Sequence, residues 1–344
     1  MNTEKQISGL CRLGTFLKDF LNKNTDGNNE NEAALAETMR ISEQENPWFT
    51  QENQRLALKN WANLMNEESI KNWLKNYSVA KNQKKVGLIL PGNIPLVGFH
   101  DVICVVLSGH IPLIKLSSKD RRMIPLLLKL WQEFSENHLE FEFVEKLENF
   151  DAVIATGSNN TARYLEYYFK NHLSIIRKNR TSIAVLNGEE TDEDLQRLAD
   201  DIFTYFGLGC RNVTKILIPE HFKIDRLFEN FQAHKDIINH HKYANNYDYN
   251  RAIYLLNLDL FWDNNFVMLR EDEQLFHPLS VIGFSRYRDI SEVHEFIKNN
   301  NQDIQAIVAK PDFIEGAIAF GEAQNPTLDT YADLVDTMKF LEVI

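Results

Sequence analysis

Apolar residues recur along the first 80 positions at spacings of three and four. Ile7, Leu10, Leu13, Phe16 and Leu17 share one helical face. Leu56, Trp61, Leu64, Ile70 and Leu74 resume the pattern after a polar interruption at Asn22–Glu32, which reads as a loop. The pattern changes at Lys84. Val86–Leu90 is a short apolar run typical of a buried parallel strand, and Pro91-Gly-Asn-Ile-Pro95 turns it into a helix from about Leu96 to Gly109. A second strand at Ile111–Leu116 leads to a helix at Ile124–Phe134. A third, Ala152–Ala155, leads through Thr156–Thr161 to a helix at Ala162–Phe169, and Ser182–Leu186 reads as a fourth strand. This alternation predicts an α/β class, doubly wound, with a helical layer in front of it.

The alternation continues after residue 188. Asp192–Phe206 carries Leu195, Leu198, Ile202 and Phe206 at helical spacing, and Asp225–His234 reads as a further helix. Lys215–Pro219, Ala252–Asn257, Val281–Phe284 and Ile304–Ala309 read as strands, and Tyr287–Asn300 as loop and helix. The expectation is two α/β domains. Residues 1–187 hold the N-terminal helices and the first α/β domain, and 188–344 hold the second, which carries Cys210.

Composition narrows the functional classes. The 344 residues are 44% hydrophobic and 25% charged, values of an ordinary soluble protein with ample core. A net charge of −12 argues against nucleic acid or an anionic membrane as the main partner. Cys11, Cys104 and Cys210 are too scattered for a disulfide framework or a paired metal site. The N-terminus shows no signal pattern, and Val97–Ile114 is interrupted by His100, Asp101, Ser108 and His110. Both point to a cytoplasmic protein without membrane insertion.

One stretch invites chemistry. Tyr205-Phe-Gly-Leu-Gly-Cys-Arg211 places Cys210 between a helix and a strand, where rigid elements can hold a side chain at a cleft. The alternative is a core cysteine, the reading that fits Cys104 among Val102, Val105 and Leu107. Thr156–Thr161 opens a helix, so its free N–H groups form an anion site, although no G-x-G-x-x-G fingerprint is present. His234, His240 and His241 lack partners at ligand spacing, so no metal is expected. Trp48, Trp61 and Trp73 read as packing.

The order of these motifs resembles the aldehyde dehydrogenase superfamily, and within it the long-chain fatty acyl-CoA reductase (LuxC-type) branch. Pro91-Gly-Asn-Ile-Pro95 resembles the Pro-Trp-Asn-Phe-Pro turn, which implies Asn93 as an oxyanion donor. Ile114-Lys-Leu-Ser117 resembles the Leu-Lys-Pro-Ser segment, implying Lys115 and Ser117 at the cofactor ribose. Thr156-Gly157-Ser158 resembles the helix entrance beside the pyrophosphate. Gly209-Cys210 resembles the Gly-Gln-x-Cys nucleophile loop without its glutamine. Gln274-Leu-Phe-His-Pro278 resembles the Glu-Ile-Phe-Gly-Pro segment, implying Gln274 and Phe276 on the nicotinamide side. Two departures stand out. Val185-Leu-Asn-Gly188 is matched to a Glu-Leu-Gly-Gly segment without its acid, with Glu189 or Glu190 as slipped substitutes. Ser118 stands where NAD-using relatives carry a glutamate, with Lys119, Arg121 and Arg122 behind it, which favours NADPH. The resemblance implies reduction of a fatty acyl-CoA to an aldehyde through a thioacyl group on Cys210. The alternatives are a dehydrogenase of small aldehydes or semialdehydes, and a silent acyl-CoA or nucleotide binder. A homo-oligomer is compatible with the chain, and the segment from Phe320 to Ile344 is expected either to close the site or to join a neighbour.

Overall fold

The computed structural model describes residues 3–23 and 29–344. Four helices come first: α1 (Thr3–Asn22), α2 (Glu30–Glu45), α3 (Gln51–Leu64) and α4 (Glu67–Leu74). Then follow β1 (Lys85–Ile89), α5 (Phe99–Leu107), β2 (Ile111–Lys115), α6 (Met123–Phe134), β3 (Glu142–Phe143), β4 (Ala152–Thr156), α7 (Asn159–Tyr168) and β5 (Leu173–Arg177). The chain continues with β6 (Thr181–Val185), α8 (Asp192–Phe203), β7 (Val213–Pro219), α9 (Asp225–Phe231), α10 (His241–Asn257), β8 (Trp262–Asp263) and β9 (Met268–Glu271). It ends with β10 (Val281–Tyr287), α11 (Ile290–Asn300), β11 (Ile304–Ala309) and α12 (Thr337–Glu342). Two units emerge, Met1–Lys178 with Thr327–Ile344, and Asn179–Pro326.

In the first unit a five-stranded parallel sheet runs β3-β2-β1-β4-β5. Strand order reverses on either side of β1, so the loops after β1 and β4 diverge at its C-terminal edge and leave a crevice. The expected helical layer is present. α1 buries Leu10, Leu13, Leu17 and Phe20, and the Trp131 indole of α6 donates to Gln6 O at 2.8 Å. α2, α3 and α4 each start on a side chain that accepts from the first turn, namely Asn29, Thr50 and Asn66. The loop expected at Asn22–Glu32 is shorter at both ends, since Asn22 closes α1 and Glu30 opens α2, and residues 24–28 lie outside the described residues.

The second unit carries a six-stranded sheet, β11-β6-β7-β10-β9-β8, parallel apart from β8. This placement moves the boundary. The divide falls at Lys178/Asn179 rather than 187/188, because β6 hydrogen-bonds between β7 and β11. A short apolar run carries no information about which sheet it joins. Ala252–Asn257 is a second departure, since it forms the last turns of α10 and not a strand. Tyr243, Tyr247, Asn250 and Tyr254 are buried at helical spacing, and that packing overrides the β-like local composition.

Residues 327–344 return to the first unit. Trp73 Nε1 donates to the Tyr331 hydroxyl at 2.7 Å, Tyr331 donates to Tyr77, and Tyr77 donates to Asp336 at 3.0 Å. Beside this chain lies a buried ion pair. Arg177, at the end of β5, meets Asp101 in the first turn of α5 at 2.5 Å and donates to Thr337 of α12 at 3.0 Å. Removing one partner leaves the other charge buried and uncompensated. Asp101→Ala or Arg177→Ala is therefore expected to cost about 3–5 kcal/mol in urea unfolding, and Asp101→Leu with Arg177→Met to cost less than either single change.

Candidate active site

At the C-terminal edge of the first sheet, three loops come together. Ile89 of β1 lies in register with Lys115 of β2, and Leu90 N donates to Lys115 O at 3.1 Å. The next residues form the turn carrying Asn93, which is exposed. Gly92 presses on the β2 loop so closely that a Cβ there would sit 2.7 Å from Ser117 Cβ. Only glycine lets the Asn93 turn approach Ser117. Asp120, buried beneath this junction, accepts from Leu96 N at 3.0 Å, and its own N–H donates to Ser117 O at 3.2 Å. Burial pushes its carboxyl up to about 6, and Oδ1 has no partner among the described residues.

On the far side of β1, β4 ends at Thr156. Gly157 N donates to Arg177 O at 3.1 Å, and Ser158 caps α7 by accepting from Thr161 N at 3.3 Å. The start of α7 carries the positive end of its helix dipole, which suits an anionic group. Lys115, Ser117, Thr156, Gly157 and Ser158 are thus brought to one edge along with Asn93. The cations behind Ser118 divide differently from expectation. Arg121 and Arg122 both pair with Glu45 of α2, whose carboxyl they hold down at about 2, while Lys119 is exposed.

Cys210 lies in the second unit, in a turn between α8 and β7. α8 begins with a capping box between Thr191 and Asp194. It ends in a left-handed run, with φ of 54° at Tyr205, 60° at Phe206 and 76° at Gly207. Two non-glycine residues in that region cost roughly 1–3 kcal/mol each and persist only where their surroundings over-determine them. Asn212 supplies that determination. Its fully buried amide donates to Asp201 O, Ile202 O and Thr204 O at 2.9–3.2 Å, and its Oδ1 accepts from Gly209 N at 2.8 Å. Ser182 at the start of β6 donates to Cys210 O at 3.1 Å.

Arg211 donates to Ala323 O, and Asp201 accepts from Gly321 N at 2.7 Å and Ala323 N at 2.9 Å. Burial raises Asp201 to about 6. Burial also lowers Arg211 below its ordinary value, while the nearby Cys210 and Asp201 oppose that. Because Cys210 and Arg211 lie in a turn, strand alternation does not force them apart. A neighbouring guanidinium favours a thiolate. The other thiols are less suited, since burial raises both the half-buried Cys11 and, well above the usual range, the fully buried Cys104.

A cavity of about 190 Å³ opens at the same edge of this sheet, lined by Phe203, Phe206, Leu208, Val213, Tyr243 and Ile282, with His277 in its wall. Gln274 and Phe276 lie exposed on the preceding loop, whereas Leu275 is buried. His277 Nε2 meets Asp272 at 3.0 Å, and Nδ1 has no partner among the described residues. Burial lowers its pKa, and its ring packs where any side chain on Gly283 would overlap it. Lys215, buried below, donates to Asp272 O and is lowered to about 8 by burial.

The matching of Val185–Gly188 to an acid-bearing segment beside the cysteine does not survive. β6 and β7 are parallel, so Asn187–Glu190 follows one end of the sheet and Cys210 precedes the other, about 15 Å away at the rise of a parallel strand. Glu190 instead closes its own loop, accepting from Asn187 N at 2.7 Å and Gly188 N at 3.0 Å. The histidines seen in the sequence are also dispersed. His234 bonds Asp200 and stacks on Phe203, while His240 stacks on His241 and lies tilted against Phe206. No group of three or more His, Cys, Asp or Glu able to hold a metal occurs among the described residues. Asn212, Asp120 and Asp201 carry no local signal in the sequence, because their partners are main-chain groups met only on folding.

Two outcomes test this geometry. Asn212→Ala removes two N–H donors shared among three carbonyls and the acceptor of Gly209 N, so it should cost about 2–4 kcal/mol and speed thiol labelling of Cys210 by a disulfide reagent. Asp120 has a folded pKa raised from 3.8 to about 6, so folding favours its neutral form. Its contribution to stability is fully present below about pH 4 and is lost as pH rises through about 6. Asp120→Asn is thus expected to gain roughly 2–3 kcal/mol at pH 8 and nothing at pH 4, in denaturant titrations at both values.

A family model for acyl-CoA reductases (LuxC) matches residues 15–231. No curated protein matches by sequence. Among solved structures, aldehyde dehydrogenase 21 from Physcomitrella patens in complex with succinate superposes with a TM-score of 0.73 at 12% identity, over 99% of this chain and 85% of that one. A NAD-dependent benzaldehyde dehydrogenase from Corynebacterium glutamicum gives 0.65 at 12%, over 92% and 78%. Aldehyde dehydrogenase C from Pseudomonas syringae, with NAD+ and octanal, gives 0.64 at 11%, over 92% and 74%. At such identities the likeness is one of fold, the aldehyde dehydrogenase fold expected above. With the family model spanning more than half its length, the chain belongs to the acyl-CoA reductase (LuxC) family.

Proposed function

We propose that this protein reduces a fatty acyl-CoA to the aldehyde with NADPH, through a thioester on Cys210. The observation that carries the reading is the Cys210 turn, strained, anchored by Asn212 and flanked by a guanidinium, in a chain of the acyl-CoA reductase family. Cys210 as thiolate attacks the acyl-CoA carbonyl, and the collapse of the adduct expels CoA thiolate. One thioester is exchanged for another, so no strong acid is needed. Covalent catalysis thereby splits one hard step into easier ones. Asn93 and the N–H groups of the Cys210 turn are the donors suited to the developing oxyanion.

A nicotinamide cofactor, when bound, supplies the hydride. The turn at Gly92, the Ser158 cap and the N-terminal end of α7 suit its pyrophosphate and ribose, with Lys115 and Ser117 as sugar ligands. Gln274 and Phe276 are the exposed side chains suited to the nicotinamide side. After reduction of the thioester carbon, the tetrahedral alkoxide re-forms a carbonyl and expels the Cys210 thiolate, which frees the aldehyde. With Arg121 and Arg122 committed to Glu45, support for a 2′-phosphate rests on Lys119 and on Ser118, which carries no charge to repel it. The apolar cavity at the Cys210 edge suits the hydrocarbon part of the substrate.

Purified protein mixed with palmitoyl-CoA and NADPH should consume NADPH and release aldehyde, and Cys210→Ala should abolish both. Full activity in Cys210→Ala would sink the covalent mechanism. Absence of turnover with any acyl-CoA, alongside oxidation of small aldehydes, would favour a dehydrogenase instead. Asn93→Ala should lower kcat about 10²–10³-fold. NADH in the same assay should be the poorer donor.

A further inference from the structure

The cavity at the Cys210 edge has walls that fix its size. Gly207 and Leu208 line it, and Leu208 is two residues, at most about 7 Å of extended chain, from Cys210. Its floor is core. Ile202, Phe203, Val213, Tyr243 and Ile282 are each buried. The aromatic walls are packed from behind. Phe203 meets Phe231 edge-on at 5.5 Å, Phe266 at 5.8 Å and the stacked ring of His234 at 5.1 Å, and Phe206 lies 4.3 Å from His240. Phe206 is also one of the left-handed residues in the reversal that Asn212 fastens, so its ring cannot withdraw without undoing the turn. An interior packed in this way does not swell to admit extra methylenes without strain.

The lining is neutral. No Asp, Glu, Lys or Arg lines the cavity among the described residues. Thr214 is hydrogen-bonded to Thr181 at 2.6 Å, the Ser280 hydroxyl donates to Leu279 O, and His277 is held by Asp272 at 3.0 Å. A chain ending in a carboxylate or an ammonium group would lose its water there and find no counter-charge. A plain alkyl chain loses nothing of the kind.

Size then sets length. An apolar protein cavity of about 150 Å³ takes up benzene, so about 25 Å³ serves each carbon. At that density about 190 Å³ holds on the order of eight carbons. A palmitoyl chain would need about 400 Å³ and would leave half its length outside.

We propose that this cavity takes an unbranched, uncharged alkyl chain of about eight carbons, and that the protein is accordingly a reductase of medium-chain acyl groups. The second statement rests on the acyl-CoA reading given above, and the first stands without it. Up to the limit each added methylene strengthens binding about fourfold, and beyond it the gain ceases.

Calorimetric titration of the full chain with n-alkanols should show Kd falling about fourfold per methylene from butanol to octanol, and by less than about twofold from octanol to decanol. The kcat/KM values for butanoyl-, hexanoyl-, octanoyl-, decanoyl- and dodecanoyl-CoA should level off at the same length. Leu279→Phe, at a half-buried position of the wall, should move both limits to about six carbons and leave butanoyl-CoA turnover unchanged. Tyr243→Ala should move them to about twelve, since the vacated site collapses only in part. Leu279→Phe decides alone if Tyr243→Ala fails to fold. Alkanols that do not bind, or that keep gaining fourfold per methylene through decanol, would overturn the cavity assignment, as would limits indifferent to these substitutions. A kcat/KM that climbs on to dodecanoyl-CoA would overturn the medium-chain assignment. A limit at octanol without turnover of any acyl-CoA would uphold the cavity assignment and overturn the reductase reading.

Discussion

Asn212 holds together the turn that carries Cys210. A helix of the second unit must stop, reverse through three left-handed residues and re-emerge as a strand, all within ten residues. Such a reversal strands carbonyls that water cannot reach. One buried amide shares its two N–H donors among three of them and, through its oxygen, takes the N–H of Gly209. The strain at Tyr205 and Phe206 and the position of Cys210 are therefore two consequences of one set of hydrogen bonds. A thiol held this way loses little entropy on meeting a substrate, which is the preorganisation that covalent catalysis requires.

The first unit solves a similar problem with a carboxylate. The loops after β1 and β2 approach closely because Gly92 has no side chain, and Asp120 fastens them from below at the cost of a buried carboxyl. Asp201 does the same for the Gly321–Ala323 segment beside the Cys210 turn. Both groups are held away from the usual carboxylate range by burial. Their value is positional, since each receives main-chain N–H groups that no secondary structure would satisfy.

The sheet order also changes the chemical argument. A base beside Cys210 would hydrolyse a thioester, and the sequence suggests its loss at Val185–Gly188. That segment belongs to the opposite end of the sheet, so it neither supplies nor withholds such a base. The case for a reductase rests instead on the family and on the construction of the Cys210 turn. Gln274 and Phe276 remain exposed on the loop that carries His277, and His277 itself is locked against Gly283 by Asp272.

The sequence by itself determined the class and the local elements. Periods of three and four marked the N-terminal helices and α8, and alternation with strands marked α6 and α11. Short apolar runs closed by turns marked β1, β2, β4, β6, β7, β10 and β11, and the motifs at Asn93, Lys115, Thr156 and Cys210 fell between them. These signals are local, because each depends on residues within one element and its cap. What depended on long-range pairing was decided only in three dimensions. A run such as Thr181–Val185 is equally apolar in either sheet, and Ala252–Asn257 reads as strand until Tyr243, Tyr247 and Tyr254 are seen on one buried face. Arg121 and Arg122 look available for a phosphate until Glu45, 76 residues earlier in the chain than Arg121, takes both. The partners of Asn212, Asp120 and Asp201 are backbone groups, which have no letter in a sequence.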